Sequence, residues 1–141
     1  MLSISNDEDF RKIRRDFHAH PELKFEEVRT SEIIYGLLKK WGFDEIGDRL
    51  GKTGVVGVLH GNKSKKADSF SIGLRADMDA LPLIEQNNFS HASKYPGKMH
   101  ACGHDGHMAT LLAAAKYISE NREFSGTVNF IFQPGEEGGG G

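Results

Sequence analysis

The chain has 141 residues, of which 38% are hydrophobic and 27% charged, and a formal charge of −2; this is the balance of a soluble globular protein, one domain or a large piece of one. So small a net charge offers no basic footprint for nucleic acid and no pull toward an anionic membrane surface. No apolar run reaches the roughly 18 residues of a membrane span, Asp7, Glu8 and Asp9 stand where a signal peptide needs basic and then apolar residues, and a single cysteine asks for no oxidising compartment, so the expected address is the cytoplasm.

Ser5 and Glu8 have capping-box spacing, ahead of a first helix that carries Phe10, Ile13 and Phe17. After Pro21 a second helix is expected from about Phe25 to Trp41. Its apolar stripe is Ile34, Leu37, Leu38 and Trp41, with Lys39 and Lys40 at the negative end of the dipole and Gly42 as the stop. Val55, Val56 and Val58 mark a strand after Gly54, and Phe70, Ile72, Leu74 and Ala76 alternate along another. The charged segment from Asn62 to Asp68 reads as a surface loop, and residues from Pro82 to Met99 show no period. A third helix is expected from near Gly106 to about Ser119, on the stripe Met108, Leu111, Leu112, Ala115 and Ile118. A strand from Thr127 to Phe132 follows. Strand, helix and strand make a βαβ unit with parallel neighbouring strands. The tract from Pro134 to Gly141 does not resemble a domain end, and the expectation is a cut inside a domain.

Unusual polar residues gather at one end of that unit. Asp77 and Asp79 follow the first strand, Glu136 and Glu137 follow the second, and His100, Cys102, His104, Asp105 and His107 lead into the helix between them. Open α/β sheets bind ligands outside the carboxyl ends of their strands. Cysteine, histidine and glutamate are the usual zinc ligands, and Cys102 with His104 is an i, i+2 pair that can face one centre. A helix amino terminus beneath Cys102 favours its thiolate. Adjacent glutamates in an extended segment point opposite ways, so one of Glu136 and Glu137 can bind metal while the other takes a proton from a water.

Each residue also has a plainer reading. A lone cysteine is most often a small buried hydrophobe, the histidines can be surface or capping groups, Asp77 and Asp79 can cap a turn, and the glutamates can be solvated. Their convergence on one sheet edge favours the metal centre. His18 and His20, between a helix and Pro21, stay open between structural and functional roles. A Cys–His nucleophile leaves the glutamates without a task, and the terminal glycines lack the Lys-Ser/Thr of a phosphate loop.

Four segments occur in order: Arg14-Arg15-Asp16-Phe17-His18-Ala19-His20-Pro21-Glu22-Leu23, Leu74-Arg75-Ala76-Asp77-Met78-Asp79-Ala80-Leu81-Pro82, Met99-His100-Ala101-Cys102-Gly103-His104-Asp105-Gly106-His107 and Phe132-Gln133-Pro134-Gly135-Glu136-Glu137-Gly138-Gly139. With them the chain resembles the aminoacylase and carboxypeptidase G type metallopeptidase family, in the branch of hippurate hydrolase, N-acetyldiaminopimelate deacetylase and the plant auxin–amino acid conjugate hydrolases. The resemblance implies an α/β fold, part of a three-layer α/β/α sandwich with a mostly parallel sheet. It implies metal-dependent hydrolysis of the amide bond in N-acyl amino acids or related conjugates.

By the same resemblance Cys102, His104 and Glu137 match ligands of a dinuclear centre, with the thiolate shared. Glu136 matches the general base, and Asp79 the acidic residue that orients a ligand. Asp77 stands where many relatives outside the branch carry a histidine ligand, and no metal is assigned to it. Two divalent ions are implied, zinc first, with manganese, cobalt or nickel able to occupy the same ligands. Residues 1–141 correspond to the amino-terminal part of the catalytic domain, without the downstream histidine ligands or the lid and dimerisation domain. The expected parent is a homodimer or higher homo-oligomer, and the fragment alone is expected to be inactive. The competing reading is a remnant that binds a ligand or partner without turnover.

Overall fold

The computed structural model describes residues 9–63 and 70–139. Its elements are α1 (Phe10–Ala19), α2 (Val28–Lys40), β1 (Glu45–Leu50), β2 (Gly54–His60), β3 (Ser71–Asp77), α3 (His104–Glu120) and β4 (Thr127–Gln133). The Ser5–Glu8 pair, residues 64–68 of the expected surface loop and the last two glycines lie outside the described residues.

Asp9 caps α1, its carboxylate accepting the Arg11 amide at 3.1 Å, and Phe17 from this helix is fully buried. The second helix begins three residues later than its stripe suggests, because Phe25 has a φ of 61° and cannot join a right-handed helix. The amides at the start of α2, which have no partner within the helix, are satisfied from outside: Arg29 and Thr30 donate to the Glu22 carboxylate at 3.0 and 2.8 Å. Gly42, at a φ of 69°, ends the helix as expected.

The four strands lie in the order β1-β2-β4-β3. Strands β3 and β4 are parallel, which closes the expected βαβ unit around α3. Strand β2 runs antiparallel to both β1 and β4, so the sheet is mixed and the expectation of a mostly parallel sheet is corrected. Strand β1, Glu-Ile-Gly-Asp-Arg-Leu, was not anticipated; it is largely exposed and has no apolar alternation to mark it.

The register sets Val55 beside Phe132, Leu74 beside Phe130 and Ala76 beside Phe132, on one face of the sheet. Phe17, Ile34, Leu38, Met108 and Leu112 from all three helices pack on that face. Each such buried side chain contributes about 1.5–3 kcal/mol of transfer free energy. Gly57 admits this packing, since a Cβ there would meet Phe43 at 2.7 Å and Leu38 at 2.8 Å. The opposite face, with Val56, Val58 and Ile131, carries no helix among the described residues. Two of the three expected layers are therefore present. On the edge strand β3 the expected alternation is only half buried: Ala76 is in the core, whereas Ile72 remains 47% exposed.

Candidate metal centre

Beyond the carboxyl ends of the parallel strands the chain stays in register for one more step, Met78 donating its amide to the Gln133 carbonyl at 2.9 Å. That contact places Asp79, 1% exposed, beneath the turn that follows β4. Its Oδ1 accepts the Glu136 amide at 3.1 Å and its Oδ2 the Glu137 amide at 2.8 Å. Its carbonyl accepts from His104 Nδ1 at 2.8 Å.

Helix α3 begins at His104, earlier than the apolar stripe indicates, directly after Gly103 at a φ of 89°. A carbonyl can only accept, so His104 carries a proton on Nδ1, which leaves Nε2 as the ring atom able to face a metal. The ligand atoms of Cys102, His104 and Glu137 lie within 4.8 Å of one another. Glu136 Oε2 lies 3.8 Å from His104 Nε2. The glutamates sit in a turn rather than an extended segment, with Gly135 at a φ of 63° and the Gly139 amide reaching the Glu136 carbonyl at 3.2 Å. The expected opposition of neighbouring side chains is therefore replaced by a bend that turns both toward the centre.

This donor set fits a divalent cation. Zinc–ligand bonds of about 2.0–2.3 Å place tetrahedral donors roughly 3.3–3.8 Å apart, so the triad closes on an ion with a small contraction. The charges point the same way. The Cys102 thiol is held above its usual pKa, first by its hydrogen bond to Glu137, then by burial and by the charges of Glu137, Glu136 and Asp77. This reverses the expectation that the helix terminus favours the thiolate, because the nearby carboxylates outweigh a partial dipole charge. A bound cation relieves that repulsion. A second set, Asp77, His104 and His107, also falls within 4.8 Å. It shares the one free nitrogen of His104, and Asp77 is ion-paired with Arg75.

One supporting residue, Glu27, was not singled out from sequence. Glu27, 0% exposed, accepts the Gly135 amide at 2.8 Å and the Thr53 hydroxyl at 2.5 Å. His18, left open between two roles, bridges Asp105 at 2.9 Å and Glu85 at 3.0 Å, and Arg14 reaches the same Asp105 at 3.3 Å. His20 instead binds the Asp16 carbonyl and faces Lys94 and Tyr95, away from the centre. Burial pushes His100 down to a pKa of about 4. No sequence pattern announces a buried carboxylate, and Glu26-Glu27 ahead of a helix look like ordinary first-turn acids. A cavity of about 550 Å³ opens beside the centre, lined by Arg75, Asp77, His107 and Thr110 among others. Another of about 490 Å³, between α2 and the β1–β2 turn, touches none of these groups.

Known proteins resemble this chain along most of its length. The profile of peptidase family M20/M25/M40 matches residues 73–141. Hippurate hydrolase of Campylobacter jejuni is 52% identical over 94% of this chain, and N-acyl-L-amino acid amidohydrolase of Geobacillus stearothermophilus is 47% identical over 88%. The crystal structure of the Bacillus subtilis YXEP protein, described as a dinuclear metal-binding peptidase, superposes with a TM-score of 0.83 at 45% identity, covering 91% of this chain and 35% of that one. The chain spans about a third of the length of these curated relatives, 33% and 32% respectively.

Proposed function

Because this chain belongs to peptidase family M20/M25/M40, in its amidohydrolase branch, we propose that it is the amino-terminal part of the catalytic domain of a metal-dependent hydrolase of N-acyl amino acids. The observation that carries this reading is the approach of Cys102, His104 and Glu137 to within 4.8 Å, with Glu136 beside them. Cys102, His104 and Glu137 hold divalent cations, zinc first by donor chemistry and manganese, cobalt or nickel by the same set. Such ions, held there, would supply Lewis-acid polarisation of the acyl oxygen and would lower the pKa of a water toward neutrality.

The remaining steps belong to this chain's own residues. Glu136 takes the proton from the attacking water and returns it to the nitrogen of the leaving amine. Asp79 orients the centre twice, fixing the tautomer of His104 through its carbonyl and the glutamate turn through its carboxylate. A ligand thiol stays reduced in the cytoplasm, which the reading adopts as the address; no helix of the described residues is long and apolar enough to cross a membrane. Further chain supplies the other metal ligands, the second helical layer and the surface for self-association, so residues 1–141 by themselves turn over little or no substrate.

The test is chelation of the whole protein. EDTA should abolish hydrolysis of acyl amino acids and added divalent metal should restore it. Activity that survives EDTA and is lost to thiol alkylation would overturn the reading in favour of a cysteine nucleophile. Ligand binding without turnover, with or without metal, would favour a non-catalytic remnant.

A further inference from the structure

Three consecutive amides present the glutamate pair, and two buried carboxylates receive them. Asp79 takes those of Glu136 and Glu137. The Gly135 amide goes to Glu27, 108 positions earlier in the chain. Glu27 is fully buried, and its other oxygen is held by the Thr53 hydroxyl. A carboxylate sealed from water is expensive unless its lone pairs are filled, and here a donor on each oxygen fixes it in one orientation. The site crowds Gly135 further: a Cβ on it would meet the Phe25 ring at 2.6 Å, and Phe25 itself occupies the left-handed region. The Glu27 segment therefore fits the glutamate turn closely, one residue before Glu136 and two before Glu137.

We infer that Glu27 is a positioning residue of the metal centre, acting through the Gly135 amide to set the turn that aims Glu137 at the cation beside Cys102 and His104. The inference rests on the assignment of Glu137 as a metal ligand. Both Glu27 oxygens are engaged by Gly135 and Thr53, and Glu27 belongs to neither group of converging ligand atoms. Outer partners of metal ligands typically contribute about 10–100-fold in metal affinity.

The experiment titrates the whole protein with Co²⁺ alone, follows the thiolate-to-cobalt charge-transfer band, and records thermal unfolding in parallel. Glu27→Ala should weaken Co²⁺ binding by about 10–100-fold. Glu27→Gln should stay within a few-fold of the parent, because its amide oxygen still accepts from Gly135 while its NH₂ faces the Thr53 hydroxyl. In a Glu137→Ala background, Glu27→Ala should cost no further affinity, since the ligand it aims is gone. A merely structural role for Glu27 predicts lost stability with equal losses of affinity in both backgrounds, and that result overturns the inference. Should Glu27→Ala not fold, Glu27→Asp draws the carboxylate back by one methylene and makes the same comparison. Loss of affinity in Glu137→Ala with none in the folded Glu27 variants overturns the inference alone. Unchanged affinity in Glu137→Ala overturns the ligand assignment beneath it as well.

Discussion

Glu137 and Asp79 meet backbone to side chain: the Glu137 amide donates to Asp79 Oδ2 at 2.8 Å, while the carbonyl of the same aspartate receives the His104 imidazole at 2.8 Å. One buried residue thus sets the orientation of two proposed ligands that stand 33 positions apart in sequence. Replacing Asp79 by Asn keeps its shape but turns an NH₂ toward an amide N–H. We expect Asp79→Asn to lower metal affinity by about 10–100-fold, measured by equilibrium dialysis. Unaltered affinity would show that the turn holds its place without this carboxylate.

Glu136 stands 3.8 Å from His104 Nε2 and keeps 42% of its side chain accessible, a position from which a proton can be collected and released. In the whole protein, Glu136→Gln should reduce kcat by about 10²–10⁴-fold while elemental analysis finds the metal content unchanged. Retained turnover would remove Glu136 from the role of base.

His18 supports a prediction about pH. Burial lowers its pKa, but the hydrogen bonds to Glu85 and Asp105 outweigh that and leave it above its usual 6.5. The rings of Phe89, His91 and His100 also face it, and Arg14 shares Asp105 with it. The folded state therefore holds the His18 proton more tightly than the unfolded state does. That contribution is complete below the unfolded value of about 6.5 and is lost as the pH rises through the raised folded value. The Tm should accordingly decline on the alkaline side of neutrality, and His18→Gln should flatten this part of the profile. A profile identical to the parent's would end the assignment.

Phe130 is fully buried on β4 and meets Phe43 edge-on, with ring centroids 5.4 Å apart. Phe130→Ala should cost about 3–5 kcal/mol, read from the denaturant midpoint at constant m. A cost below 1 kcal/mol would mean that the sheet and helices repack around the missing ring.

Much of this arrangement was legible in the sequence where chemistry is local. The helical stripes through Phe17, Ile34 and Leu112 and the alternation of Val128, Phe130 and Phe132 marked real elements, because burial selects apolar side chains at the period of the backbone. The convergence of Asp79, Cys102, His104 and the two glutamates followed from one βαβ crossover between parallel strands. Strand β1 was silent because an exposed strand need not alternate. The antiparallel course of β2 was hidden because Val55, Val56 and Val58 read the same in either direction. Glu27 escaped because its partner, a backbone amide, has no identity in sequence. The turn at Gly135 shows the same limit, since its bend depends on what lies against it and not on the residue alone.

The grip of Glu27 on Gly135 has a consequence during synthesis. The amide that satisfies this carboxylate is made 108 residues after it, and β2 waits 67 to 77 residues for its partner β4, from the pair His60 and Thr127 to the pair Val55 and Phe132. Until that stretch leaves the ribosome, a negative charge destined for the interior has one of its two acceptor atoms without its final donor, and the Val55–Leu59 segment has an open side. Contacts so far apart along the chain close slowly. Until Gly135 and β4 are made, the nascent chain therefore carries no formed centre, and its Val55–Leu59 segment stays open to proteolysis.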